Sequence, residues 1–140
     1  MEKKRSKGVT VFAWFELILG IWIIFQFSGL TSLYMSNGNS MEQLAYCITH
    51  HGEQPIFGTI LIVAGILTLQ LRPTGRILSI LGFPLIFVFE VWKKIAYYRE
   101  DFSSAFLGGI AIGFIIVSIP VYFFTRPKVK EQFKKQSLLA

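Results

Sequence analysis

Glu16 is the residue in this chain whose type and place most invite chemistry. It stands inside an uncharged apolar run, in the stretch Val9-Thr-Val-Phe-Ala-Trp-Phe-Glu-Leu-Ile-Leu-Gly20. If that run is a helix, the carboxyl lies ~10 Å in from its start at 1.5 Å of rise per residue. A carboxylate at that depth in a bilayer costs several kcal/mol unless it is protonated, paired or hydrated. Two readings follow. In one, Glu16 carries protons to and from a substrate or the cytoplasm. In the other it is structural, bonded to Ser or Thr hydroxyls of a neighbouring helix or reaching Arg72 or Arg76. The residue types around it favour the structural reading.

Glu90 has Lys94 four residues on, the favourable order for a helical pair, and Lys93 at three. The lysine stems can lie along apolar surface while their ammonium groups reach water. Trp92, Tyr97 and Tyr98 sit at the same level, as an aromatic belt would. An interfacial ion pair between Glu90 and Lys94 is expected. Glu16 and Glu90 differ in depth by ~10 Å on the same helical rise, too far apart for a paired-carboxylate site. Cys47, His50, His51 and Glu53 are the remaining cluster of possible metal ligands. Zinc sites usually show two close ligand pairs, and this cluster has one, so no metal or cofactor is expected. The lone Cys47 excludes an intrachain disulfide and paired-thiol redox chemistry. No nucleophile–base pair can be assembled, so the chain is read as non-enzymatic. Gly109 and Gly113 have the spacing that lets helix backbones approach in a membrane, and both are expected at a helix–helix contact.

The elements that must position these groups are four apolar stretches, at about 8–27, 54–71, 77–98 and 104–125. Each is near the ~20 residues that cross a bilayer core. The basic start of the chain resembles that of a signal peptide. The run after it is too long and lacks a prompt small-residue cleavage site, so a retained first span is expected. Residues 28–53 form an outer segment with no Lys or Arg. It holds a turn-rich Ser-Asn-Gly-Asn-Ser and a short amphipathic helix over Met41–His50, with Ser40 and Gln43 as a capping box. Pro55 suits the first turn of the second span. Arg72-Pro-Thr-Gly-Arg76 is a tight basic turn that makes spans two and three antiparallel neighbours. Pro84 is expected to kink the third span. Arg99-Glu-Asp101 makes the next turn, and residues 126–140 form a polar basic tail.

The chain has room for one domain, residues 1–140. Charged residues make up 16%, well below the ~25% of soluble domains. The net charge of +6 does not point to nucleic acid, because the cations cluster at the ends of apolar runs. Four stand before the first run, two in the 72–76 turn and five in the tail, against three in 93–99. By the positive-inside rule both termini are cytoplasmic. The fold class expected is all-α, an integral membrane four-helix antiparallel bundle in a prokaryotic plasma membrane.

Phe15-Glu-Leu-Ile-Leu-Gly20, Leu71-Arg-Pro-Thr-Gly-Arg76 and Thr125-Arg-Pro-Lys-Val-Lys-Glu-Gln-Phe133 together resemble small four-helix membrane proteins of prokaryotes, with a looser likeness to DoxX-like proteins. The resemblance covers nearly the whole chain. It implies a four-helix bundle with a cytoplasmic Arg-Pro turn, and no particular activity. A single glutamate in the first span is also similar to the small multidrug resistance transporters, where it binds both proton and cation. Glu16 is the matching position, although the long outer segment, charge bias and basic tail depart from that family. The function expected is an accessory or scaffold subunit, with the lipid bilayer and another membrane protein or a second copy as partners. The alternative is a proton-coupled transporter of hydrophobic cations using Glu16.

Overall fold

The computed structural model describes residues 6–36, 40–96 and 104–137, without the side chains of Ser40 and of residues 135–137. These residues form six helices: α1 (Lys7–Ser36), α2 (Ser40–His51), α3 (Glu53–Leu69), α4 (Pro73–Ala96), α5 (Ser104–Thr125) and α6 (Pro127–Ser137). No strand occurs among them. Three helices, α1, α4 and α5, are long and apolar enough to cross a membrane. A fourth crossing exists if α2 and α3, bent by 52° where they meet, act as one broken span. The cationic residues 3–5, the Asn-Gly-Asn turn, Tyr97, Tyr98, the Arg99–Asp101 turn and the end of the tail lie outside the described residues.

α1 and α3 make the most extensive helix pairing among the described residues, and small residues bring them close. Gly20 of α1 lies against Gly58 of α3 so tightly that a Cβ on Gly20 would stand 2.6 Å from the Gly58 carbonyl oxygen. One α-helical heptad along, Gly65 meets the Ala13 carbonyl in the same way, at 2.8 Å. With no side chain between them, two backbones exchange dispersion contacts that larger residues would forbid. Val9, Ala13, Glu16 and Gly20 are the buried residues of α1, spaced four, three and four apart along one face. Glu16 therefore belongs to the packed face of its helix.

α4 turns back on α3 through a tight corner. Leu71 N–H donates to the Thr68 carbonyl and Arg72 N–H to the Leu67 carbonyl, the Schellman pattern. Leu71 takes the left-handed conformation at φ 55°, where glycine is usual. An ordinary residue there costs roughly 1–2 kcal/mol. Burial of the leucine side chain offsets it: Leu71 joins Val9, Phe124, Val129 and Phe133 in the core at this end. Pro73 then opens α4 at the first helical position, where its missing N–H costs nothing. α5 packs on α4 and meets α1 where Gly8 and Phe12 reach Phe123.

Three features differ from the sequence reading. α1 does not stop near Phe27; it runs to Ser36, ~45 Å in all at 1.5 Å per residue. Leu30, Tyr34 and their neighbours continue the helix, and α2 packs on the added turns through Tyr34–Tyr46 rings 5.8 Å apart. The helix after Arg72 begins at Pro73, four residues before Ile77. Pro84 lies inside this helix, which continues on both sides of it. The polar tail is helical in part: α6 buries Val129 and Phe133, four residues apart, beneath the end of the bundle.

Candidate functional site

Three helices meet at Glu16. It projects from α1 between Thr68 near the end of α3 and Ser79 in the second turn of α4, and all three residues are fully buried. Thr68 Oγ1 and Ser79 Oγ are 3.3 Å apart, and Ser79 Oγ donates to the Gly75 carbonyl at 3.0 Å. Ser79 also stands beside the Glu16 carboxyl. Yet neither Glu16 oxygen has a hydrogen bond of ordinary geometry. Arg72 and Arg76 do not serve it: Arg72 is exposed, and Arg76 donates to the Phe124 carbonyl at 3.4 Å.

At the opposite end of α4, beside the Glu90 and Lys94 for which an interfacial pair is expected, Lys93 forms an ion pair with Glu53. Both side chains are nearly buried, at 10% and 13% exposure. The geometry follows from the helical period. Lys93 is eighteen residues after the buried Gly75, five full turns at 3.6 residues each, so it falls on the same inward stripe. Glu53 is in the first turn of α3 and Lys93 in the last turn of α4, so each charge also suits its helix dipole. Glu90 and Lys94 line a cleft between α4 and α5 of about 420 Å³.

The outer cluster is dispersed. Cys47 is buried with its Sγ 3.3 Å from Thr31 Oγ1. His50 stacks on Tyr46 at 4.0 Å, with Nδ1 3.0 Å from the Tyr46 carbonyl. His51, just before the apolar run of α3, lies near Lys93, Glu53, His50 and Glu90. Burial, helped by the Lys93 and His50 charges and opposed by Glu53 and Glu90, holds its pKa below the ordinary histidine value.

The glycines of α5 divide. Gly113 faces α4, where a Cβ would meet the Phe87 ring at 2.5 Å. Gly109 is exposed; a Cβ there would meet nothing within 4 Å, and the residue borders the Glu90–Lys94 cleft. The close glycine packing is carried instead by Gly20, Gly58 and Gly65. A second, more apolar groove of about 550 Å³ runs further along α4 and α5. Glu16 lines neither cleft. Compared with family models, with curated proteins and with solved structures, the chain matches none.

Proposed function

We propose that this chain is a non-enzymatic multi-pass protein of a prokaryotic plasma membrane, acting as an accessory or scaffold subunit. In this reading α1, α3, α4 and α5 are four antiparallel spans with both termini in the cytoplasm, as in the DoxX-like architecture its motifs resemble. The observation that carries the proposal is the enclosure of Glu16. A transport carboxylate must meet its cargo and water in turn. This one is sealed among α1, α3 and α4, where glycine contacts bring α1 and α3 backbone to backbone. Its role is structural: it fills the layer where α1 meets Thr68 of α3 and Ser79 of α4. The long exposed flank of α5 is the apolar surface left for lipid or a partner.

Binding of tetraphenylphosphonium, a hydrophobic cation, tests this between about pH 5 and 9, a range that covers a carboxyl titrating anywhere near neutrality. No binding at any pH is expected, and Glu16→Gln should fold and keep most of its stability because an amide of the same size can hydrogen-bond to the neighbouring hydroxyls. Binding that strengthens with pH and vanishes in Glu16→Gln would overturn the proposal in favour of proton-coupled cation transport.

A further inference from the structure

Glu16 is a fully buried carboxyl whose charge no described residue neutralises. Neither of its oxygens has a hydrogen bond of ordinary geometry. Arg72 is exposed, and Arg76 turns to the Phe124 carbonyl. An enclosed carboxylate is not tolerated without a counter-charge, which a proton or a bound metal ion supplies. The surroundings are rich in oxygen. Ser79 stands beside the carboxyl, and its Oγ is 3.3 Å from Thr68 Oγ1. Ser79 donates to the Gly75 carbonyl at 3.0 Å and keeps lone pairs for another partner. Glycine contacts fix the helices that carry these groups. A Cβ on Gly75 would stand 2.5 Å from the Thr68 nitrogen, and one on Gly65 would stand 2.8 Å from the Ala13 carbonyl oxygen. The oxygen cluster is therefore set by backbone packed on backbone.

We infer that this layer binds one sodium ion, held by the Glu16 carboxylate, Thr68 Oγ1 and Ser79 Oγ. Charge and donor type choose the ion. One carboxylate and two neutral hydroxyls carry a single negative charge, so a monovalent cation leaves the buried layer neutral and a divalent one does not. The donors are all oxygens, and the described residues gather no three His, Cys, Asp or Glu side chains. Such a set suits a hard cation and not a transition metal. Size narrows the choice further. Two oxygens ~2.4 Å from one cation stand ~3.4 Å apart at a right angle, near the hydroxyl separation here. Potassium makes longer bonds and would push the hydroxyls apart, against the tight Gly75 contact. The inference deepens the structural role proposed for Glu16 and rests on its enclosure: the ion joins α1, α3 and α4 and is not carried across.

Thermal unfolding of the full chain in detergent tests this, in sodium, potassium or choline chloride of equal ionic strength, at about pH 8 where protons compete least. Sodium in large excess should raise the wild-type transition by about 5 °C over choline, with little effect of potassium. Equilibrium dialysis against radioactive sodium should show one ion per chain. Glu16→Gln and Thr68→Val should each remove both the sodium shift and the bound ion. Ser28→Ala, at an exposed hydroxyl of α1, should keep both. Helical circular dichroism checks that each variant is folded; if Glu16→Gln is not, Thr68→Val and Ser79→Ala decide. Equal transitions in the three salts, or a sodium shift that survives Glu16→Gln, would overturn the inference. In the first case a proton neutralises Glu16 and the structural reading stands. That reading fails on tetraphenylphosphonium binding, a separate measurement, so the two failures are distinguishable.

Discussion

Lys93 shows what one side chain can decide at the residue scale. Its ammonium is nearly enclosed between α3 and α4, and Glu53 is the group that answers it. Removing one member of such a pair leaves a buried charge without a partner, which typically costs more than the pair contributes. Lys93→Met is therefore expected to lower the detergent-solubilised protein's stability by ~3 kcal/mol. Lys93→Met combined with Glu53→Gln should recover most of that loss, because both charges are then gone. Thermal unfolding of the two variants measures it, and equal losses in both would show that the pair is not coupled. The sequence marked Glu16 readily, since a single charge in an apolar run is conspicuous. It did not mark Lys93, because two adjacent lysines near a helix end read as a solvated pair. Only the register counted from Gly75, which is buried by the turn into α4, separates the inward lysine from its outward neighbour.

At the scale of elements, close contact depends on which glycines face another backbone. α1 and α3 meet at Gly20 and Gly58, where an added side chain would drive into a carbonyl that cannot move without shifting a helix. Gly113 meets the end of a Phe87 ring, which can rotate away, and Gly109 meets nothing within 4 Å. Gly20→Leu should therefore destabilise the protein by ~2 kcal/mol, as overpacking of a tight core does. Gly109→Leu should leave the melting temperature near that of wild type, with Gly113→Leu between them. A larger loss at Gly109 than at Gly20 would mean that the α5 face, and not the α1–α3 crossing, is the tight one. Spacing motifs do not resolve this. Gly109 and Gly113 are four apart in one helix, while Gly20, Gly58 and Gly65 pair across helices and leave no local pattern. The same limit explains α6. Val129 and Phe133 are a two-residue stripe in a charged tail, and their burial depends on Phe124 and Leu71, distant in the chain.

For the whole molecule, the charges and the core come together at one end. The start of α1, the α3–α4 corner and the junction of α5 with α6 converge there around Phe124, with Ser6 N–H donating to Gln132 Oε1 at 3.3 Å. Lys7, Arg72, Arg76, Arg126, Lys128, Lys130 and Lys134 are the cations these segments bring. α2, the Glu53–Lys93 pair and Lys94 are at the other. The return of α4 on α3 was legible in the sequence because the 72–76 turn is short, and the long extension of α1 was not, because its last turns mix polar and apolar residues. Lys and Arg retained near span ends set orientation, so the end rich in them is expected in the cytoplasm. Single cysteines at Ser6 and Ser137, in a Cys47→Ser background, should resist an impermeant maleimide on intact cells and react after the membrane is opened. Ser36→Cys, at the far end of α1, should react from outside. The serine at position 47 keeps a hydroxyl for Thr31, so the background itself should fold. External labelling at Ser137→Cys with protection at Ser36→Cys would invert the molecule. Labelling of Ser6→Cys and Ser137→Cys from opposite sides would mean an odd number of crossings, leaving α3 as a helix that enters and does not traverse.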